Sequence, residues 1–333
     1  MRRIVFITQQ VDPGHPALAA TVAQIAALAA RVDEVVVLAD GAVAGVLPEN
    51  CRVHRFAASS KAGRGLRFEA ALARELRRHP ERIVAHMCPI YAVLAAPLAR
   101  PLGVRVLLWY THWHASPTLR VAERLASAIV SVDRRSFPLD STKVQAIGHG
   151  IDLAAFPCAE RPEREGLQVL ALGRYSPAKG LETVIRAVAQ VEGARLTVHG
   201  PELGPLERTH RQELERLVAD LGAPITLGDA VPREQIPALL AGADVLVNNM
   251  REGALDKVVY EAAASCVPVL ASNSGFAELV EPFRREDAAE LAERLRALVA
   301  LPADERTRIG RELRAKVEAR HSVESWAEGV LAA

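Results

Sequence analysis

The stretch "DVLVNNMREGALDKVVYEAAASCVPVLAS", residues 244–272, holds a strand, a loop, a helix and a second strand in succession. "DVLVNN" (244–249) and "PVLAS" (268–272) are short apolar segments, and the helix between them begins near Leu255 or Asp256. Strands that are apolar throughout and that alternate with helices are typical of a parallel sheet covered on both faces. The stretch therefore predicts a doubly wound α/β fold.

The same alternation fills the chain and restarts once. We predict strands over 3–8, 34–39, 53–58, 82–87, 104–112, 128–132, 143–150, 167–173, 195–200, 225–229, 244–249 and 268–272. We predict helices over 16–32, 68–78, 91–100, 117–127, 181–191, 206–221, 233–243, from 255 onward and over the tail 302–333. The pattern restarts after "FPCAERPEREGL" (156–167), which is rich in Pro and charge.

Two Rossmann-like doubly wound parallel-sheet domains that face a cleft are therefore expected. The N-terminal domain covers 1–156, a linker covers 157–166 and the C-terminal domain covers 167–320. A last helix is expected over 321–333, and it could return to the N-terminal domain.

Composition fits a soluble globular protein, because half of the 333 residues are hydrophobic and the longest apolar run, "ATVAQIAALAA" (20–30), is too short to span a bilayer. The opening "RIVFITQQ" turns polar too soon for a signal peptide. The cysteines are widely spaced and form no CxxC motif, which predicts neither a zinc site nor a disulfide framework and favours a reducing cytoplasm. These cysteines are Cys51, Cys88, Cys158 and Cys266.

The net charge of +1 conceals an asymmetry between the two halves of the chain. Residues 1–150 hold 19 basic and 11 acidic side chains, a net +8, whereas the remainder holds 22 and 29, a net −7. "KAGRGLR" (61–67) and "RELRRHPER" (74–82) concentrate the positive charge. The asymmetry predicts an anionic partner for the first half, and an ordinary solvated basic face is the equal alternative.

Two cations follow the strand in "LALGRYSPAKG" (170–180), namely Arg174 and Lys179. At the carboxyl end of a parallel strand they would point into the cleft. The planar fork of Arg and the point charge of Lys suit a diphosphate, and two surface cations are the alternative.

The helix after 255 offers a second anion site, because the N–H groups of its first turn have no partner within the helix. Asp256 is also placed to be an ordinary N-cap. Lys257 and Glu261 are four residues apart, so a simple helical ion pair is the alternative role for both.

Two histidines end the strand predicted in "LWYTHWHASP" (108–117). His112 and His114 would share one face if the strand extended that far, but no third ligand has metal-site spacing, so no metal is predicted. "GHGIDL" (148–153) lacks the third glycine of a dinucleotide fingerprint. The chain contains neither GxxxxGK[ST] nor an Asp-x-Asp motif, which disfavours a nucleotide triphosphatase and a metal-bridged diphosphate.

Taken together, "GRYSPAKG" (173–180) and "VVYEAAASCVPVLAS" (258–272) resemble the retaining nucleotide-sugar glycosyltransferases of the GT-B fold, family 4, also called glycosyl transferases group 1. "IGHGIDLAAF" (147–156), "HGPELGP" (199–205) and the segment 225–249 match that family in the same order. The resemblance covers almost the whole chain.

The resemblance implies transfer of a sugar from a UDP- or GDP-sugar to a hydroxyl acceptor, with retention and with neither metal nor cofactor. Arg174 and Lys179 would neutralise the donor diphosphate, and Glu261 would bind the ribose hydroxyls. Phosphate would meet the N–H groups near Lys257 and Val258. The base would lie against the backbone near Val231, and His112 would face the donor sugar.

The chain departs from the family pattern where a glutamate usually contacts the donor sugar, eight positions before Glu261. Position 253 is Gly, so either Glu252 serves from one position away or the contact passes to Asp256 or to backbone. Near the first strand the family often has two adjacent glycines against the donor phosphates, whereas this chain has only Gly14.

Two other functions stay open, a nucleotide-sugar epimerase-like enzyme and a non-catalytic GT-B binding protein. The expected partners are the nucleotide-sugar and an acceptor that is either anionic or lipid-linked, and no nucleic acid is expected. The basic N-terminal domain allows peripheral contact at the inner membrane face of a cytoplasmic location.

Overall fold

A computed structural model describes residues 1–15, 18–159, 164–253 and 255–333. The chain divides into two compact units, each built on one parallel sheet. The N-terminal unit comprises Met1–Asp152 with Arg320–Ala333, and the C-terminal unit comprises Leu153–Ala319. The predicted fold class, two Rossmann-like α/β sheets, is confirmed.

The N-terminal unit contains a seven-stranded sheet whose central strands are buried on both faces. Its strands are β1 (Arg3–Val11), β2 (Glu34–Ala42), β3 (Cys51–Arg55), β4 (Arg82–His86), β5 (Arg105–Trp109), β6 (Ala128–Ser131) and β7 (Val144–Ala146), in the order β3-β2-β1-β4-β5-β6-β7. Its first helices are α1 (Ala20–Ala29), α2 (Lys61–Leu76), α3 (Pro89–Ala99) and α4 (Pro117–Leu125).

The C-terminal unit contains a five-stranded sheet that positions the candidate site. Its strands are β8 (Leu167–Leu172), β9 (Ala194–His199), β10 (Ile225–Gly228), β11 (Val245–Asn248) and β12 (Val269–Ala271), in the order β10-β9-β8-β11-β12. Its helices are α5 (Leu181–Val188), α6 (Pro205–Leu221), α7 (Ile236–Ala241), α8 (Lys257–Ala264), α9 (Ala288–Ala300) and most of α10 (Ala303–His321). Because β8 and β11 are neighbours, the loops that follow them meet at one edge.

The last helix, α11 (Val323–Ala332), belongs to the N-terminal unit. Its Trp326 is fully buried, with ring centroids 5.7 Å from Trp109 and 6.5 Å from Phe6. The Val323 N–H donates to the Ile151 carbonyl oxygen at 2.9 Å, which ties the start of α11 to the end of the first unit's sequence. Aromatic burial of this size holds α11 against the sheet.

Several element boundaries differ from the sequence prediction, and α9 was not predicted. The helix predicted over 16–32 covers Ala20–Ala29, and residues 16 and 17 lie outside the described residues. Helix α2 begins at Lys61 rather than at 68, because the Ser60 hydroxyl accepts the Gly63 N–H at 3.1 Å and caps the helix. The basic run 61–67 is therefore the first part of a helix.

Strand β5 ends at Trp109, three residues earlier than predicted. His112 and His114 consequently lie in the loop before α4, and the strand alternation that would have placed them on one face does not apply.

The expectation that no disulfide forms was wrong, because Cys158 and Cys266 are bonded within the C-terminal unit. They are 108 residues apart, and their Cα atoms are 5.1 Å apart. Cys266 follows the end of α8 with a left-handed φ of 57°, and the fold brings it beside the start of the unit. Wide sequence spacing carries no information about such proximity. Cys51 and Cys88 are free thiols. In the described parts of the chain, no helix is long and apolar enough to cross a membrane.

Candidate functional site

A cavity of about 220 Å³ opens at the carboxyl end of β8, beside the first turns of α8. It is the place where an α/β sheet of this kind binds ligands. Three cations and two carboxylates line it together with four apolar or glycine residues. The lining residues are Leu172, Gly173, Lys179, Arg233, Ile236, Asp256, Lys257, Val258 and Glu261.

Lys179 is held at this cavity by the loop that follows β8. The residue ends a short 3₁₀ turn, Pro177–Lys179, that begins after Ser176. Gly173 makes the position possible, because a Cβ on its left-handed backbone (φ 143°) would lie 2.7 Å from Lys179 Nζ. The ammonium group therefore lies directly against the end of β8.

The Lys179 ammonium contacts Asp256, with 2.5 Å between Nζ and Oδ2. The Asn248 amide, at the end of β11, donates to the same Asp256 oxygen at 2.7 Å. Asp256 occupies the N-cap position of α8, but its carboxylate faces these two side chains, and no capping bond to α8 forms among the described residues. Its side chain is thus part of a charged pair at the cavity rather than an ordinary helix cap.

Glu261 lies one turn into α8 and is 2% exposed. The Arg233 guanidinium donates two hydrogen bonds to the Glu261 carboxylate, from Nη2 to Oε1 at 2.5 Å and from Nη1 to Oε2 at 2.8 Å. Lys257 Nζ is 3.9 Å from Oε1, so the helical ion pair exists but is the weaker contact. Glu261 is therefore an acceptor held in a fixed position at the wall of the cavity.

Sequence reasoning missed Arg233, which lies in the turn after β10, 28 residues before Glu261. Its guanidinium carbon lies 5.2 Å from the centroid of the Phe156 ring, a cation–π contact. Burial lowers the pKa of Arg233, but the hydrogen bond and charge of Glu261 outweigh that effect, so the pKa is raised above its ordinary value. No spacing rule connects residues on loops after β10 and β11.

Three other residues predicted for the site lie elsewhere in the C-terminal unit. Arg174 follows Gly173 and is half exposed, with Nη1 3.3 Å from Glu207 Oε1. The Glu252 carboxylate accepts the Ser274 N–H at 2.7 Å and the Ser274 hydroxyl at 3.0 Å. Val231 is half-buried between β10 and the Arg233 turn. Their roles stay predictions.

The remaining two candidates belong to the N-terminal unit. The His112 N–H donates to the Ser136 carbonyl oxygen at 3.1 Å, and His112 Nδ1 accepts the His114 N–H at 3.0 Å. Burial and the charge of His114 lower the pKa of His112, which favours the neutral ring. The Gly14 N–H donates to Asp12 Oδ1 at 2.9 Å.

A larger cavity, of about 420 Å³, lies beside α5 and the start of α9. Its cations are paired with carboxylates, as those of the smaller cavity are, with Arg186 Nη2 2.9 Å from Glu182 and Arg285 Nη1 3.5 Å from Glu286. The smaller cavity differs in its position, because it lies at the carboxyl end of β8 beside the first turn of α8. Within the described residues, no group of three or more His, Cys, Asp or Glu is arranged to hold a metal ion.

Residues 166–300 match the family model described as "Glycosyl transferases group 1", which confirms the resemblance read from the motifs. Two curated relatives are similar to the chain. A GDP-mannose-dependent alpha-(1-6)-phosphatidylinositol monomannoside mannosyltransferase from Mycobacterium tuberculosis is 30% identical over 220 residues, 55% of each chain. The putative colanic acid biosynthesis glycosyltransferase WcaL of Escherichia coli is 28% identical over 192 residues, 53% of this chain and 47% of that one.

The chain thus spans about half the length of the curated relatives it matches. Solved structures extend the fold likeness to the full chain. Anabaena HepE in complex with UDP and glucose has a TM-score of 0.73 at 18% identity, covering 100% of this chain and 99% of that one. A sucrose-phosphate synthase from Thermosynechococcus elongatus has a TM-score of 0.73 at 19% identity, with coverages of 100% and 98%. These likenesses show the GT-B fold.

Proposed function

We propose that this protein is a retaining glycosyltransferase that moves a sugar from a UDP- or GDP-sugar to a hydroxyl acceptor. The observation that carries the proposal is the convergence of Lys179, the first turn of α8 and the buried Glu261 on one cavity of a group 1 domain. On this proposal the C-terminal unit binds the donor and the N-terminal unit binds the acceptor.

The donor diphosphate would lie over Lys179 and the start of α8. There it would meet the ammonium group, the N–H groups near Lys257 and Val258 and the positive end of the helix dipole. Arg174, whose own side chain is half exposed, would join by leaving Glu207, a buried carboxylate that keeps its hydrogen bond from the Leu203 N–H. These groups stabilise the charge that develops on the leaving diphosphate, so neither a metal ion nor a cofactor is required.

Retention follows from front-side displacement, in which the acceptor hydroxyl attacks the anomeric carbon on the face that the diphosphate leaves. The departing phosphate oxygen takes the acceptor proton, so the bond to the acceptor forms as the bond to phosphate breaks. No protein nucleophile is needed. His112, with its neutral ring favoured, would shape the sugar side of the reaction centre, and Gly14 would approach the phosphates.

The donor sugar would contact Asp256 rather than Glu252. Both Glu252 oxygens accept from Ser274, whereas Asp256 lines the cavity. The nucleoside would extend the other way, with its ribose on Glu261 and its base along the backbone near Val231. This division puts sugar choice in the loop before α8.

The acceptor would be anionic or lipid-linked, either a glycan or a lipid phosphate. The net +8 of residues 1–150 supports this, and so does the mannosyltransferase whose name specifies a phosphatidylinositol monomannoside. We propose a cytoplasmic protein with peripheral contact at the inner membrane face. Co-sedimentation with anionic but not neutral liposomes, abolished by salt, is the expected result, and salt-insensitive binding to both would contradict it.

The base of the donor is tested with a panel of UDP-, GDP- and dTDP-sugars. The similar proteins are consistent with either uracil or guanine as the donor base, since HepE is described with UDP and the mannosyltransferase is named GDP-mannose-dependent. We expect one base to bind best and its sugar nucleotide to be slowly hydrolysed to the nucleoside diphosphate. NMR of the first-formed sugar should show the donor's own anomeric configuration, and the inverted anomer would contradict a retaining enzyme.

The same panel separates the alternatives. A new sugar nucleotide formed from donor alone would indicate an epimerase-like enzyme. Donor binding by calorimetry, with neither hydrolysis nor transfer to any acceptor, would indicate a non-catalytic GT-B binding protein.

A further inference from the structure

We infer that Arg233 is a positioning residue that holds Glu261 so that two of its acceptor sites face the ribose diol of the donor. The inference rests on the proposed function, because it assumes that a nucleotide occupies the cavity. It gives a role to a cation that the motifs leave unassigned.

The first observation behind the inference is the number of hydrogen bonds that Glu261 can accept. An ionised carboxylate has two oxygens with about four acceptor sites in total. Arg233 uses one site on each oxygen, at 2.5 and 2.8 Å, and Lys257 Nζ at 3.9 Å is too distant for a hydrogen bond. One site therefore remains on each oxygen. Two adjacent hydroxyl donors, such as the 2′- and 3′-hydroxyls of a ribose, match that pair of sites.

The support of Arg233 carries the second step. Its guanidinium packs over the Phe156 ring, and the Phe156 carbonyl oxygen accepts from Arg314 Nη1 at 2.7 Å. Two residues later the chain is bonded through Cys158 to Cys266, just past the end of α8. The aromatic surface beneath Arg233 is thus fixed to the helix that carries Glu261. A planar side chain gripped in this way loses little freedom when it makes its two bonds.

The burial of Glu261 carries the third step. At 2% exposure the carboxylate is costly to leave without a partner, and Lys257 at 3.9 Å replaces only part of the charge of Arg233. Without Arg233, Glu261 is expected to turn toward Lys257. That movement would take an acceptor site away from the ribose.

The measurable consequence is discrimination between ribose and 2′-deoxyribose. The 2′-deoxy analogue lacks one hydroxyl and so loses one hydrogen bond to a charged carboxylate. The wild-type protein should therefore bind the ribonucleotide about 10- to 100-fold more tightly than its 2′-deoxy analogue. Uniform loss of affinity for both nucleotides would reflect structural damage. A change in their ratio reports on the ribose contact itself.

The test is calorimetry of the full chain with UDP, 2′-deoxy-UDP, GDP and 2′-deoxy-GDP. Arg233→Met should bring the ribo-to-deoxy ratio of Kd values close to one. Arg233→Lys keeps the charge but loses the bidentate hydrogen bond to Glu261, so its ratio should lie between those of the Met variant and the wild type. This variant also provides a readout if the Met variant does not fold. Arg294→Met is the matched control, since Arg294 pairs with Glu290 at 2.8 Å in the same unit and should leave the ratio unchanged.

A wild-type ratio retained in a folded Arg233→Met or Arg233→Lys variant would overturn the inference while leaving the proposed function intact. A wild-type protein that binds nucleotide without preferring ribose would overturn the contact to Glu261, and the inference with it. A wild-type protein that binds none of the four nucleotides would refute the proposed function, on which the inference depends.

Discussion

Replacing Asp256 with asparagine should tighten the binding of a nucleoside diphosphate. In the free protein the Asp256 carboxylate lies 2.5 Å from the Lys179 ammonium, and both side chains are largely buried, at 21% and 14% exposure. A donor diphosphate therefore has to share the Lys179 ammonium with Asp256, or displace Asp256 from it, before Lys179 can neutralise the phosphate charge. An asparagine side chain at this position would keep the shape and could still accept from Asn248, but it would remove the competing charge.

The size of the effect follows from the geometry of the pair. A charge-assisted hydrogen bond that is largely shielded from water contributes about 1.5–3 kcal/mol. Because a diphosphate can share Lys179 with Asp256, we take the lower end, about 1.5 kcal/mol, which is roughly tenfold in Kd. Asp256→Asn should therefore bind UDP or GDP about tenfold more tightly than wild type at physiological salt.

Calorimetry with the better-bound diphosphate measures this change, and the corresponding nucleoside, which lacks phosphate, should bind both proteins equally. Turnover of the sugar donor should fall in the same variant, because the proposed sugar contact loses its charge. Weaker or unchanged diphosphate binding in a folded Asp256→Asn protein would refute the reasoning that Asp256 competes for Lys179.

Three further predictions test the site and the fold. Lys179→Ala should lower turnover by about 10²–10³-fold, and Arg174→Ala should lower it by less because Arg174 is half exposed. The circular dichroism spectra of both variants should match that of the wild type. Wild-type rates in both variants would show that these two residues are not part of the site. Denatured, unreduced protein should titrate two thiols and reduced protein four, and reduction should lower the free energy of unfolding by about 2–4 kcal/mol; four thiols without reductant would contradict the Cys158–Cys266 bond. Hydrogen bonds from the Arg284 side chain and backbone lower the pKa of Glu290 to about 2. The stabilisation of the fold by Glu290 should therefore be present above about pH 4.5 and lost as the pH falls toward 2. A Glu290→Gln variant whose melting temperature equals that of the wild type across this pH range would contradict the prediction.

Most of the fold and part of the site are predictable from local sequence. Apolar strands separated by helices predict parallel sheets, and the carboxyl ends of such strands are where ligands bind. Lys179, Asp256, Lys257, Val258 and Glu261 all line one cavity, because the loops that carry them follow β8 and β11, which are adjacent in the sheet. The adjacency of β8 and β11 itself comes from the structure, and before it only the family resemblance placed these residues at one site.

What the sequence does not predict depends on contacts between distant segments. Arg233 follows β10, which lies at the far edge of the sheet, and reaches Glu261 only through its long side chain. The bond between Cys158 and Cys266 depends on where α8 ends in space. The loop of His112 was misplaced because β5 stops at Trp109, a boundary that apolar character alone does not mark.

A crystal structure of the protein with its preferred nucleoside diphosphate tests the central claim most directly. The account predicts the β-phosphate within hydrogen-bond distance of Lys179 Nζ and of the first-turn N–H groups of α8, with a ribose hydroxyl on each oxygen of Glu261. A nucleotide bound away from this cavity, with the Lys179–Asp256 pair undisturbed, would contradict it.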